Sequence, residues 1–383
     1  LQVISPIQVW YFDFSIFKNG KQHNVQVKAY VPYVVNFYDF ERDPVVSINP
    51  YALLYSMKIA INGMGRIGRL LCKLLQTGGH QIVAVNDLMP KENLAYLLEY
   101  DSTYGQYFLG KNKYGITDEG IQINEQKIIV FSEPTPVKLP WKELEVDVVV
   151  DCSGRFLTRE LLSHHLEAGA KRVLLSTTGG EGVPMVIRGF NDSPELLRQP
   201  ILASGGCMTN CTVLLLHHLI KNFGVESVHI NVTHSYTSRQ SLVDSPHADF
   251  RRGRAATTSI IPVKIDLHDT LEKVFPTLHR KVISSSTRVP IICGALCDLN
   301  FIATQSVDVR TIHELFAHLS KNELKGLVDY NEKPVTSSDV LCNPNSAIVD
   351  ATLTHAISKH VKLSAWFDDQ FAFTNRLVEI LDL

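Results

Sequence analysis

The chain carries almost no net charge. Its 37 Lys and Arg against 39 Asp and Glu leave −2 at pH 7 over 383 residues. With no basic excess, composition gives no support to a nucleic-acid partner. No apolar run is long enough to span a bilayer, and no secretory signal pattern is visible, so we expect a cytoplasmic protein without a membrane partner. Cysteine is sparse: seven residues lie scattered at 72, 152, 207, 211, 293, 297 and 342. That is not a disulfide framework, and it suits a reducing compartment. Cys207 and Cys211 stand one helical turn apart, but zinc needs two or more further ligands and no Cys/His cluster accompanies them, so no metal is expected. Internal repeats and low-complexity tracts are also missing.

What the chain does have is unevenly distributed. Of its 17 Phe, 13 Tyr and 3 Trp, twelve fall within residues 1–56. Met57 then falls immediately before a strand-like run. We expect residues 1–56 to be an atypical leader outside the native fold. The alternative is a β appendage: Trp10 to Phe14 and Val25 to Val27 flank an Asn19-Gly20 turn signal.

From Met57 the reading is α/β. Lys58 to Ile61 reads as a strand, followed by Gly63-Met64-Gly65-Arg66-Ile67-Gly68 and a helix with apolar Leu70, Leu71, Leu74 and Leu75. In this setting Gly63 permits the turn, Gly65 lets the backbone approach a pyrophosphate, and Gly68 lets helix and strand pack closely. A second strand, Ile82 to Val85, ends at Asn86-Asp87, where an acid can bind the ribose hydroxyls of NAD. Val146 to Val150 and Arg172 to Leu175 read as buried parallel strands, with a helix over 160–170 between them. Beyond Gly206 the pattern changes to a helix and longer strand-like runs at 227–232, 291–296 and 301–307. These suit an antiparallel sheet with helices on one face. Thr374 to Leu383 reads as a helix.

The chemistry points to Cys207. A small-residue loop, Ala203-Ser204-Gly205-Gly206, leads into a long apolar helix, so Cys207 sits at a helix N-terminus, where the macrodipole favours thiolate over thiol. His234 ends the strand of residues 228–232. Imidazole titrates near the working pH, so His234 is the expected base.

Together these segments resemble the glyceraldehyde-3-phosphate dehydrogenase family. The matching runs are Ile61 to Arg69, Val85 to Leu88, Tyr100 to Ser102, Cys207 to Cys211, His234 to Thr237, Asp249 to Ala256, Arg288 to Pro290, Trp366 to Asp368 and Asn375-Arg376. They come in family order from Met57 to Leu383. The resemblance implies a Rossmann-type NAD-binding domain (57–206), an α+β catalytic domain with an antiparallel sheet (207–365), and a C-terminal segment (366–383) that returns to the first domain. It implies a homotetramer. It implies NAD held by Gly63, Gly65, Arg66, Ile67, Gly68, Asp87, Ser176 and Asp369. A phosphorylated aldehyde is implied at Thr209, Thr237, Arg252 and Arg288, with Thr237 and Arg288 at the positions that hold the substrate's own phosphate and Arg252 facing a second anion site. Cys207 would add to the aldehyde to give a thiohemiacetal, hydride transfer would give a thioester, and phosphate or water would resolve it.

Several residues depart from the family pattern. Gly206 stands where serine is usual, and Met208 where threonine is usual; a thioether donates no hydrogen bond. After Ile260-Ile261-Pro262 the threonine-glycine pair of the phosphorylating enzymes is replaced by Val263 and Lys264. All three changes weaken a site for inorganic phosphate. The erythrose-4-phosphate dehydrogenase subfamily also lacks that pair and releases a free acid through water. This chain further resembles it at Ser259 to Val263, Leu327 to Tyr330 and Ser346 to Asp350. At the cofactor end, Asp369 replaces the asparagine that holds the nicotinamide carboxamide, Gln370 and Phe371 replace glutamate and tryptophan, and Pro134 replaces an arginine near the adenine. We therefore expect oxidation of erythrose-4-phosphate to 4-phosphoerythronate. The alternatives are glycolytic, phosphorylating oxidation of glyceraldehyde-3-phosphate, and a degenerate dinucleotide-binding paralogue without catalysis.

Overall fold

In this computed structural model, residues 9–18, 21–30, 57–78, 80–106, 110 and 112–383 are described. The chain divides into two compact units, Leu1–Ser56 and Met57–Leu383. In the first, β1 (Val9–Lys18) and β2 (Lys21–Tyr30) pair antiparallel, with Val9 opposite Tyr30 and Lys18 opposite Lys21. This is the hairpin pairing that the alternation around Asn19-Gly20 suggests; those two residues themselves lie outside the described set.

The second unit holds two large sheets. The strands of the first are β3 (Lys58–Asn62), β4 (Gln81–Asn86), β5 (Tyr114–Ile116), β6 (Gly120–Ile123), β7 (Gln126–Phe131), β8 (Val148–Asp151), β9 (Arg172–Leu175) and β10 (Ile201–Ala203). Their order is β10-β9-β8-β3-β4-β7-β6-β5. From β10 to β7 all pairings are parallel, linked by α1 (Arg66–Gly78), α2 (Lys91–Glu99), α3 (Arg159–Glu167) and α4 (Pro194–Leu197); β5 and β6 join antiparallel at one edge. This is doubly wound topology, and its chain order reverses at β3. The crevice therefore opens between the carboxyl ends of β3 and β8, where Asn62 pairs with Asp151 in register and donates Nδ2–H to its Oδ2 at 2.7 Å.

The second sheet comprises β11 (Val225–Ser235), β12 (Ile261–Val263), β13 (Val282–Val289), β14 (Ala295–Ala303), β15 (Val328–Asn331), β16 (Ala347–Asp350), β17 (His355–Ile357) and β18 (His360–Phe367). The helices of this half are α5 (Cys207–Phe223), α6 (Leu267–Val274) and α7 (Val309–Leu319). Most pairings are antiparallel, as the sequence reading expects, and β11–β13 and β15–β16 are parallel. The expected strands at 291–296 and 301–307 are instead one strand, β14. Gly294, at φ +93°, marks its start, and polar Asp298 and Asn300 alternate with buried Cys297, Leu299 and Phe301 along it. Hydropathy splits such a strand at its polar residues; its alternation keeps it whole.

The C-terminal α8 (Phe371–Leu381) packs against α1. Its Phe373, Leu377, Ile380 and Leu381 complete the core made by Ile59, Ile61, Leu71, Leu75 and Val85. The last residues of the chain thus seal the first sheet, and they also bring residues 369–370 to the crevice.

Candidate active site

Cys207 is the first residue of α5. The turn before it is built from within: Gly205 lies at φ +70°, and a Cβ there would sit 2.7 Å from Ile187 Cδ1. Buried Asn210 reaches back one turn and donates Nδ2–H to the carbonyls of Ser204 (2.9 Å) and Gly206 (3.0 Å). Gly206 is the N-cap and supplies no side-chain cap. The sulfur is thereby held at the mouth of the helix.

His234 arrives on β11. It stands opposite Arg288 of the parallel strand β13, so the two side chains leave the same face of the sheet. His234 Nε2 lies 3.7 Å from Cys207 Sγ, and Nδ1 lies 2.8 Å from the Ser235 carbonyl. A carbonyl only accepts, so Nδ1 carries the proton and the Nε2 lone pair faces the sulfur. Arg288 is buried, donates Nη1–H to the same Ser235 carbonyl at 3.3 Å, and leaves Nε without a partner.

Burial opposes the helix terminus at this site. Burial, reinforced by the Asp369 carboxylate, pushes the Cys207 thiol up to about 12. Burial likewise holds the His234 imidazole down to about 4, with Asp369 opposing and Arg288 adding to the shift. Both shifts favour the neutral forms, a thiol beside a neutral imidazole. Desolvation and a neighbouring carboxylate outweigh the helix terminus.

A cleft of about 770 Å³ gathers most of the expected residues: Gly65, Arg66, Ile67, Ser176, Cys207, Thr209, His234, Thr237, Arg252, Arg288 and Asp369. That is ample for a small substrate beside a nicotinamide ring. A second hollow of about 260 Å³, lined by Gly63, Gly65, Asn86, Asp87, Glu133 and Pro134, shares Gly65, Cys152 and Ser153 with it. The two meet over the glycine turn, as an extended dinucleotide requires. Asp87 also supports that turn, accepting from Met64 N–H at 2.6 Å and Met89 N–H at 3.0 Å. Gly68 lines neither hollow; a Cβ there would stand 2.0 Å from the Gly63 carbonyl oxygen, so its part is close packing. At Gly65 a Cβ would meet no protein atom within 4 Å and would point into open space.

The residues fit a dinucleotide. The N-terminus of α1 offers backbone N–H groups beside a glycine that leaves room, and a buried amide nitrogen, Gln370 Nε2, lacks a partner at the same cleft. Residues 57–159 match the profile described as glyceraldehyde 3-phosphate dehydrogenase, NAD binding domain, and residues 206–369 match its C-terminal domain. The chain belongs to the glyceraldehyde-3-phosphate dehydrogenase family. It is 36% identical over 329 residues to the plasmid glyceraldehyde-3-phosphate dehydrogenase of Cupriavidus necator, covering 85% of this chain and 97% of that one. The corresponding enzyme of Thermotoga maritima is 36% identical over 331 residues (85% and 98%), and glyceraldehyde-3-phosphate dehydrogenase 2 of Staphylococcus aureus 35% over 331 (85% and 95%). The cofactor of this family, NAD, is the cofactor here, and the chain is an NAD-dependent dehydrogenase.

Some features of the site are not foreseen from the family pattern. Lys264, Asp266 and Asp269 line the larger cleft, and Arg155 and Phe156 line the smaller hollow. Arg252 lines the cleft with part of its guanidinium already engaged: its Nε lies 3.4 Å from Asp249 Oδ2, and its Nη2 donates to the Lys264 carbonyl at 3.3 Å. Both Asp369 oxygens are engaged, one by Gly294 N–H at 2.7 Å and one by the Ser235 hydroxyl at 3.2 Å. These partners lie far apart in sequence, and no local pattern announces them. Among the described residues no helix is long and apolar enough to cross a membrane.

Proposed function

We propose that this chain oxidises the aldehyde of a phosphorylated aldose through a covalent intermediate on Cys207, with erythrose-4-phosphate as substrate and 4-phosphoerythronate as product. The observation that carries the covalent step is the approach of His234 Nε2, unprotonated, to Cys207 Sγ at 3.7 Å. His234 takes the thiol proton as the sulfur bonds to the aldehyde carbon. The resulting alkoxide lies toward the backbone N–H of Cys207 and the newly protonated imidazole, and together they stabilise it. NAD, bound across the glycine turn, supplies the acceptor for the hydride. The thioester left on Cys207 is cleaved by water, which returns the thiol and releases the carboxylic acid. Arg288 and Thr237 hold the substrate phosphate, and Thr209 lines its pocket.

Water as the resolving nucleophile is supported by the second anion site. Gly206 and Met208 offer it no side-chain donor, Arg252 is shared with Asp249 and the Lys264 carbonyl, and the carboxylates Asp266 and Asp269 line the same cleft. A second reading, phosphorylating oxidation of glyceraldehyde-3-phosphate, is favoured by the names of the relatives. Measuring NADH formation from each phosphosugar, with and without inorganic phosphate, separates the two. The first reading requires erythrose-4-phosphate turnover that ignores phosphate; absolute phosphate dependence establishes the second.

We further place the domain boundary at Gly206, between the two sheets, with residues 366–383 serving the NAD-binding domain. We also propose a cytoplasmic homotetramer; for the assembly, the support is the exposed apolar residues Leu242, Val243, Phe250, Ile260 and Ile283, which a second copy of the chain would cover.

A further inference from the structure

We infer that Gln370 is the residue that orients the nicotinamide carboxamide, in place of position 369. The inference rests on NAD occupying the cleft formed by residues 65–67, Cys207 and His234. Gln370 is 3% exposed, yet it lines that cleft, and its Nε2 has no hydrogen-bond partner. Buried amide groups in proteins are almost always paired, so an orphaned one at a ligand cleft marks a missing partner. The backbone at this position is fixed on both sides. Gln370 N–H donates to Asp368 Oδ1 at 2.9 Å, while its carbonyl accepts from Thr374 N–H at 2.9 Å and Thr374 Oγ1–H at 2.7 Å.

Asp369 is poorly suited to the task alone. Gly294 N–H and the Ser235 hydroxyl hold its two oxygens, and Arg66 Nη1 lies 4.0 Å from one of them. A carboxylate can accept from the carboxamide NH₂ but offers nothing to the carboxamide oxygen. The Gln370 amide offers the donor that Asp369 lacks. With it in place, the aspartate positions β18 against residues 235 and 294, and the glutamine reads the cofactor.

The test compares NAD with ADP-ribose, which lacks the nicotinamide ring, by calorimetry on the full chain. Gln370→Leu should weaken NAD about tenfold and leave ADP-ribose within about twofold. Gln370→Glu, which keeps the size but loses the donor, should weaken NAD as much. ADP-ribose binding also reports that each variant is folded. Equal losses for both ligands, or no loss for NAD, would overturn the assignment. So would a selective NAD loss in Asp369→Ala that Gln370→Leu does not share. If the unaltered chain bound neither ligand, the cofactor placement beneath the inference would fall instead.

Discussion

Cys207 and His234 meet as a neutral pair: Sγ and Nε2 are 3.7 Å apart, and the only ring proton is turned away to the Ser235 carbonyl. The helix terminus alone would favour a thiolate, but the sulfur is desolvated and faces Asp369. Both directions favour activation by proton transfer during attack over a preformed ion pair.

The first prediction concerns reactivity with pH. With the thiol pushed up to about 12, its ionised fraction grows about tenfold per pH unit through the neutral range. Alkylation of Cys207 by iodoacetamide in the cofactor-free protein should accelerate accordingly from pH 7 to 9. Asp369→Asn removes the opposing carboxylate and should speed alkylation at every pH. A rate that levels off below pH 7 would show that the thiolate is already formed and that this account of the pair is wrong.

Removal of the nucleophile should separate chemistry from binding. Cys207→Ala is expected to lower aldehyde-dependent NADH formation by roughly 10³-fold or more while leaving NAD affinity within a few-fold. Turnover near the normal rate in that variant would exclude the covalent route.

The glycine turn yields a contrast between neighbours. At Gly68 an added Cβ meets the Gly63 carbonyl at 2.0 Å, and backbone on both sides has nowhere to move. Gly68→Ala should lose about 2–3 kcal/mol of stability, read as a lower denaturation midpoint. At Gly65 the Cβ meets no protein atom. Gly65→Ala should keep its midpoint and lose at least about tenfold in NAD affinity, because the methyl occupies the space the cofactor needs.

Arg288 should matter most for the substrate's phosphate, and less for the chemistry at Cys207. Its buried guanidinium has an unpartnered Nε, and burial lowers it to about 10, so it is still charged at neutral pH. Arg288→Leu should raise KM for the phosphosugar by about 100-fold, and should change the slow oxidation of the unphosphorylated aldose far less. Equal effects on both substrates would point to a collapsed site. Kinetics with the paired substrates decides.

His218 provides a check on stability. Burial lowers it to about 4, with His217 adding to the shift. The unfolded chain then binds more protons than the native one between roughly pH 6.5 and 4. Its stabilising contribution is complete above pH 6.5 and is lost as pH falls toward 4. Thermal melts over that range should show the natural chain losing more than His218→Gln. A parallel decline would refute the linkage.

Much of this was written locally. The Gly63 to Gly68 turn, the strand ending at Asp87, the helix opening at Cys207 and the strand carrying His234 each reside in a few consecutive residues, because backbone period and glycine geometry are local properties. The second sheet was less legible. Its parallel β11–β13 pairing and the unbroken β14 depend on partners chosen across the fold, and the polar residues of β14 disguise it.

The sequence by itself determined the family and the cofactor, and it nominated Cys207 and His234 as nucleophile and base, since all of these lie in contiguous motifs whose chemistry is that of the residue types. Only the tertiary structure decided the protonation of the Cys207–His234 pair, the diversion of Arg252 and Asp369 to protein partners, and the unpaired Gln370 amide. Burial and the charge of Asp369, which lies more than a hundred positions beyond both Cys207 and His234, set the first of these, and packing across the fold sets the others.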